Sequence, residues 1–145
     1  MRIINAYLAI VTALILIGCG SDKSPLVIVS DDSCGINAPT GDAVVDRQIE
    51  LGPWGWAFDK STGKIPEHIS LQIISEDKRN GLRAALNRMA RPDVAKAFGL
   101  PIEMAGFSGK IDIKALPAGN YYVSVVQSDG GKILLCNSPS KIILK

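Results

Sequence analysis

The fold class is decided by the stretch YYVSVVQ at residues 121–127, which is the strongest strand signal in the chain. It is rich in aromatic and β-branched side chains, which suit the pleated, half-buried surface of a sheet. The four residues that follow, SDGG at 128–131, are typical of a tight turn, and KILLC at 132–136 continues as a second strand. Together these residues predict an antiparallel β-hairpin.

Further short strands are predicted on both sides of this hairpin. Leu26 to Ser30 is a β-branched run, apolar residues alternate in 48–59, 68–75 and 110–114, and a last strand is expected at 141–144. Turn residues separate these runs, and residues rich in glycine, proline and asparagine form an expected loop before 48–59. About seven short strands with frequent turns predict an all-β domain built as a two-sheet antiparallel β-sandwich.

In the segment 48–59 the alternation of apolar side chains shifts by one residue, so that the apolar positions change from odd to even numbers. Ile49 and Leu51 share one face of the predicted strand, and the aromatic side chains at positions 54, 56 and 58 share one face after it. The change falls at Gly52-Pro53, where a β-bulge would re-aim the side chains and tolerate the missing proline N–H.

The middle of the chain contains the main exception to the strand pattern. Leu82 to Met89 fits both a helix and a strand, because its apolar residues satisfy both spacings. Pro92 to Gly99 predicts one or two helical turns, with proline at the start and glycine at the end. We therefore expect an all-β domain with one or two short helical turns.

The N-terminal segment has the features of an export signal. Arg2 precedes an apolar run that ends in Leu16-Ile17-Gly18-Cys19. This ending resembles a bacterial lipobox, with an aliphatic residue, a free position, a small residue and then cysteine. The run from Ile3 is shorter than the roughly 20 residues that a spanning helix needs, which favours a cleaved signal peptide over a transmembrane anchor.

The lipobox resemblance implies a lipid anchor and a three-part organisation. Residues 1–18 would be the lipoprotein signal peptide, 19–25 the lipidated Cys19 with its tether, and 26–145 the β-sandwich domain. The implied modification is a thioether-linked diacylglycerol with a further amide-linked acyl chain such as palmitate, and two or more chains hold a protein stably on a membrane. In such lipoproteins an aspartate after the cysteine retains the protein at the inner membrane. Gly20 in that position therefore favours the outer membrane, facing the periplasm or the cell surface.

Charge and cysteine content narrow the possible functions. The 16 basic and 14 acidic residues give a net charge of +2, too small for a protein that seeks polyanions, and nucleic acid is not an expected partner of an exported domain. Apart from Cys19, the cysteines are Cys34 and Cys136. Because exported chains mature in an oxidising compartment, this pair predicts a structural disulfide.

A second, weaker resemblance rests on three motifs taken together. They are GWAFD at 55–59, RPDVA at 91–95 followed by GF at 106–107, and LPAGNY at 116–121. In this order they resemble small Ig-like β-sandwich modules found beside bacterial enzymes of cell-surface glycan assembly. The resemblance covers roughly residues 45–135. It implies an Ig-like fold and an accessory role in the cell envelope rather than a catalytic activity.

The candidate ligand-binding residues are two aromatic side chains and three cations. Trp54 and Trp56 lie two apart on one face of the predicted strand, where they could pack in the core or offer a platform to sugar rings. We expect Trp56 to be buried and Trp54 to lie nearer an edge. A basic stretch that includes Arg83, Arg88 and Arg91 could contact headgroups, phosphates or an acidic glycan, or could simply be a solvated face.

No residue set in the chain has the spacing of a catalytic or metal site. His68 is the single histidine, and no phosphate-binding loop or nucleophile elbow is present. We therefore expect no enzyme activity, cofactor or metal, and interpret the chain as an anchored lipoprotein that binds an envelope protein or a surface glycan. The alternatives are an assembly factor of an envelope machine, such as a pilus or secretion apparatus, and, third, a small hydrolase.

Overall fold

A computed structural model describes residues 24–30 and 32–145, with the side chains of 138–140 excepted. The predicted signal peptide and Cys19 lie outside the described residues. The described part is all-β apart from one helix and a single 3₁₀ turn at Glu103–Ala105. Its elements are β1 (Leu26–Ser30), β2 (Cys34–Ala38), β3 (Ala43–Val45), β4 (Trp54–Ala57), β5 (His68–Ser75), β6 (Gly81–Ala85), β7 (Asn87–Met89), α1 (Pro92–Phe98), β8 (Gly106–Ser108), β9 (Gly119–Asp129) and β10 (Lys132–Leu144).

The larger sheet is built around the predicted hairpin. Its strand order is β1-β10-β9-β5-β6, and β9 pairs with β10 in antiparallel register as expected. The expectation of a purely antiparallel sheet is wrong, because β1 and β3 both pair with β10 in parallel. The 13 residues of β10 leave room for both short strands along one side.

The smaller sheet has the order β2-β4-β8-β7. The predicted strand 48–59 is reduced to the four residues of β4, and its first half is wrong. Leu51 is buried and bridges Ile111, whereas Ile49 is 59% exposed, so the two do not share a face. Pro53 lacks the N–H that a continuous strand would need, and the chain leaves the sheet on its N-terminal side. The expected loop before 48–59 contributes two strands of its own, which is one reason why the described residues form more than seven strands.

The two sheets contribute to one apolar core. Leu71 and Val123 of the larger sheet are fully buried in the same cluster as Ala57 and Phe107 of the smaller sheet. The predicted disulfide is present and joins Cys34 of β2 to Cys136 of β10, with their Cα atoms 6.1 Å apart. The covalent link therefore connects the two sheets.

The ambiguous segment is extended, and the short helix forms where it is predicted. Leu82 to Met89 divides into β6 of the larger sheet and β7 of the smaller sheet, and buried Leu86 lies at the crossing point. Helix α1 ends at Gly99, whose φ of 65° is a left-handed conformation that glycine adopts without strain. The helix covers a second apolar cluster that includes Phe58, Val94 and Ile102.

Candidate functional site

Strand β4 presents its two tryptophans on the outer face of the smaller sheet. Gly55 and Ala57 are buried, so alternation places Trp54 and Trp56 on the opposite side. The outer face of the smaller sheet also carries Asn37 of β2, because its side chain reaches Arg91 beside Trp54. This face is where the sequence-predicted aromatic residues come together.

Trp56 has a packing role on this face. Its ring centroid lies 5.2 Å from that of Phe98 and 5.9 Å from that of Phe58. A Cβ atom on Gly35 would come within 2.8 Å of Trp56 Cε2, so the ring lies directly over that glycine. Trp56 is half-buried against the second cluster and not in the core between the sheets, which differs from our expectation that it faces the core with Phe58. The contact with Phe58 is present.

Trp54 is the exposed aromatic residue of the pair. Its side chain is 43% exposed, and the Arg91 guanidinium carbon lies 5.7 Å from the ring centroid. At this distance a cation is attracted to the indole ring face. One part of the ring is therefore occupied by Arg91 while another stays open to solvent.

Arg91 is held by partners from two other elements. Its Nε and Nη2 donate to the two carboxylate oxygens of Asp93 at 2.8 and 2.7 Å, and its Nη1 donates to Asn37 Oδ1 at 3.2 Å. The hydrogen bonds from Arg91 hold the pKa of Asp93 at about 2 and raise that of Arg91. Only 16% of the Arg91 side chain is exposed. Arg91 therefore packs against Trp54 with its hydrogen bonds directed to Asp93 and Asn37, and is not a free cation that would attract an anionic ligand.

Arg88 lies between the sheets, so the sequence interpretation that placed it on a binding surface is wrong. It donates to the carbonyls of Ala57 at 2.8 Å and Pro66 at 3.1 Å, and to Gln127 Oε1 at 2.9 Å. Gln127 belongs to the larger sheet and is fully buried. Burial lowers the pKa of Arg88 to about 10, which still leaves it charged at neutral pH. Its role is to link the two sheets through hydrogen bonds.

Arg83 lies away from the tryptophans. It is an exposed residue of β6 in the larger sheet, and its Nε donates to Ser70 Oγ at 2.7 Å. The three arginines of the predicted basic stretch therefore occupy three places: the larger sheet, the interior and the Trp54 face. The structure does not bring them together into one cationic patch.

Two residues that the sequence interpretation missed lie beside Trp54. Ser108 of β8 is the cross-strand partner of Trp54, and Asn87 of β7 is the cross-strand partner of Ser108. Directly opposed residues in antiparallel strands project on the same side, so the three side chains form one row across the outer face. The sequence contains no signal for this row, because it depends on the pairing of three distant strands.

Asp59 has a strongly perturbed carboxyl group, but its surroundings indicate a structural role. Burial favours its neutral form, and this is outweighed by hydrogen bonds from Lys132 at 2.6 Å, from Ser61 and from Thr62, so its pKa is well below the usual value. The same carboxylate accepts from the backbone N–H of Ser61. Asp59 thus fastens the turn that follows β4 to the start of β10.

The remaining polar groups do not assemble into a further site. His68 is exposed beside Glu67, with 3.9 Å between His68 Nε2 and Glu67 Oε2. Across residues 24–30 and 32–145, no three His, Cys, Asp or Glu side chains cluster in a way that could hold a metal ion. In the same residues no helix is long and apolar enough to cross a membrane. No protein-family model and no curated protein matches this chain.

Proposed function

We propose that the protein is a non-catalytic lipoprotein of the outer membrane whose exposed Trp54 face binds a component of the cell envelope. Two features support the anchor. The segment Leu16 to Cys19 has the lipobox pattern, and the Cys34–Cys136 disulfide is typical of proteins that mature outside the reducing cytoplasm. In this proposal Cys19 carries the acyl chains and residues 20–25 tether the domain to the membrane.

The proposed domain architecture is an Ig-like β-sandwich. It is supported by two sheets with a common apolar core, by the disulfide between them and by the inter-sheet contact of Arg88 with Gln127. In such domains binding surfaces often lie on an exposed sheet face or on the loops at its ends. The outer face of the smaller sheet is the face that bears the exposed tryptophan.

One observation carries the binding proposal: Trp54 is 43% exposed and yet its ring lies against the hydrogen-bonded guanidinium of Arg91. An exposed tryptophan adds nothing to the apolar core through its solvent-facing surface. Large aromatic side chains held in place are the residues that dominate binding energies, because little conformational freedom is lost on contact. The Arg91 guanidinium, itself held by Asp93 and Asn37, limits the freedom of Trp54 on one side of its ring.

The anchor is tested by replacing Cys19. Cys19→Ala should abolish fatty-acid labelling and move the protein from the membrane pellet to the soluble fraction, because no other lipid attachment is proposed. Ser24→Ala, a substitution in the proposed tether, is the matched control and should leave both properties unchanged. Continued labelling and pelleting of Cys19→Ala would contradict the anchor.

The binding face is tested by comparing two exposed aromatic residues that both lie beside a cation. Tyr122 of the larger sheet is 40% exposed, with Lys141 Nζ 4.9 Å from its ring centroid, so it is also an exposed aromatic residue beside a cation but lies on the other sheet. Detergent-solubilised envelope is passed over the immobilised domain. Trp54→Ala should lose the retained component and Tyr122→Ala should keep it. Equal retention by both variants would refute the assignment of the face.

A further inference from the structure

The surroundings of Trp54 on the open side of the sheet consist of uncharged polar groups. Ser108 and Asn87 continue the row from Trp54 across β8 and β7. Neither side chain hydrogen-bonds to another residue in the part of the chain that the structure describes. Beyond them the surface forms an open depression of about 560 Å³, which Asn87, Ser108, Gly109 and Lys110 line together with one alanine.

Charge is largely neutralised on this face. Arg91 and Asp93 form a two-bond ion pair, and the third bond of Arg91 goes to an uncharged amide. Lys110 is a separate cation at the rim of the depression. An anionic ligand would therefore meet one solvent-exposed lysine and not a cluster of cations, and a single exposed charge contributes little in water.

From this arrangement we propose that Trp54, Ser108 and Asn87 form a subsite for an uncharged saccharide, with one sugar ring packed on Trp54. The inference rests on the proposed function and specifies the ligand class of the Trp54 face. It gives a common role to the exposed aromatic side chain and to the hydroxyl and amide groups in its row.

The chemistry of a pyranose ring fits these three groups. One side of such a ring displays C–H bonds, which pack against the electron-rich face of an indole, and its edge displays hydroxyl groups. The Asn87 amide both donates and accepts hydrogen bonds, and the Ser108 hydroxyl does the same. Cross-strand neighbours lie about 4.5–5.5 Å apart, so Trp54 and Ser108 together span the width of one sugar ring, and Asn87 lies one strand further along the row.

The neighbours of Trp54 favour a saccharide over an apolar protein surface. The side chain on its other flank is Asn37, and the polar Ser108 lies directly opposite. A protein partner that buried Trp54 would also have to cover these amide and hydroxyl groups with exact hydrogen-bonding partners, since unsatisfied buried polar groups are costly. Sugar hydroxyl groups supply such partners at high density.

The test uses the disulfide-bonded domain and a panel of immobilised polysaccharides, both uncharged, such as dextran, mannan and β-glucan, and acidic, such as alginate. The domain should bind at least one uncharged polysaccharide, and binding should persist when sodium chloride is raised to molar concentration. Bound oligosaccharide fragments should shift the tryptophan emission to shorter wavelength, because Trp54 is the exposed one of the two tryptophans. Binding restricted to acidic polysaccharides and lost in salt would overturn the ligand class.

Four substitutions locate the subsite. Trp54→Ala should weaken binding about tenfold or more, whereas Trp54→Phe, which keeps a flat aromatic face, should retain most of it. Asn87→Ala should weaken binding about fivefold, the effect of one lost hydrogen bond, and Asn80→Ala on a turn of the larger sheet should have no effect. Equal effects of Asn87→Ala and Asn80→Ala would contradict the subsite.

The inference can fail without the proposed function failing. If Trp54-dependent retention of an envelope component is abolished by protease treatment of the envelope and survives periodate oxidation of its glycans, the partner is a protein and the saccharide subsite is wrong. If retention is abolished by periodate and survives protease, the subsite is supported. If no retention depends on Trp54, the proposed function itself is wrong.

Discussion

Replacing Arg88 with methionine should strongly destabilise the domain and leave the Trp54 face intact. Methionine keeps the apolar stem and removes the guanidinium, which donates to the carbonyls of Ala57 and Pro66 and to Gln127 Oε1 at 2.8–3.1 Å. Gln127 is fully buried and would lose its Oε1 partner. Each buried acceptor left without its donor costs about 1–3 kcal/mol, so the loss of these bonds should remove a large share of a small domain's stability.

A double-mutant cycle separates this network from simple loss of packing. Gln127→Leu alone should cost about 1–3 kcal/mol, because it leaves part of the buried guanidinium without a partner. Replacing both residues removes donor and acceptor together, so the double variant should be about 1–3 kcal/mol more stable than additivity predicts. The Arg88 Nε and the Gln127 Nε2 already lack partners in the described part of the chain, which favours such relief.

The assay is urea unfolding of the oxidised domain, followed by tryptophan fluorescence. Arg83→Met is the matched control, because Arg83 is exposed and makes one side-chain hydrogen bond, to Ser70; we expect it to cost about 1 kcal/mol or less. An Arg88→Met variant no less stable than Arg83→Met, or strict additivity in the cycle, would refute the inter-sheet role of Arg88.

Three further predictions concern stability. Replacing Cys34 and Cys136 with serine should lower the free energy of unfolding by on the order of 4–5 kcal/mol, because the bridge closes a loop with a sequence separation of 102 residues; urea melts that match the oxidised parent would disprove this. Asp59 has a lowered pKa in the folded state, so its contribution to the free energy of unfolding is present above about pH 4 and is lost as the pH falls further. The fall in the urea midpoint on acidification should therefore be smaller in Asp59→Asn than in the parent. An equal fall in both proteins would contradict the structural role of the Asp59 carboxylate. Trp56→Ala should cost about 3 kcal/mol through its contacts with Phe98 and the second cluster, and a calorimetric melt that barely shifts would mean that the ring is not packed there.

The parts of the fold that depend on local pattern could be predicted from the sequence. The hairpin of β9 and β10 carries its own turn signal, and α1 has proline at its start and glycine after its end. The disulfide was predicted because two cysteines remain besides Cys19 and because an exported chain is expected to mature in an oxidising compartment. The parallel pairing of β1 and β3 with β10 could not be predicted, because the sequence of a short strand does not indicate which strand it pairs with or in which direction.

The parts of the candidate site that depend on one short segment of sequence could be predicted, whereas the parts that depend on pairing between distant strands could not. The separation of an exposed Trp54 from a more buried Trp56 was expected from the proline beside Trp54, but in the structure it arises because Trp56 packs against Phe98 and the second cluster. The placement of Arg88 in the interior was missed, because arginine is rarely buried and its partner Gln127 belongs to another sheet. The row of Trp54, Ser108 and Asn87 was missed for a similar reason, since it exists only in the register of three strands.

The central claim is that the outer face of the smaller sheet binds an envelope component while the protein is anchored to the membrane. Its most direct test is site-specific photocrosslinking in intact cells, with a photoreactive amino acid in place of Lys110, which lies at the rim of the depression beside Ser108, in the full-length chain. The control is the same substitution at Ser124 of β9, on the outer face of the larger sheet, where its hydroxyl contacts Asn137. We expect a discrete crosslinked envelope species from position 110 and none from position 124. Crosslinking from position 124 alone, or from neither position, would contradict it.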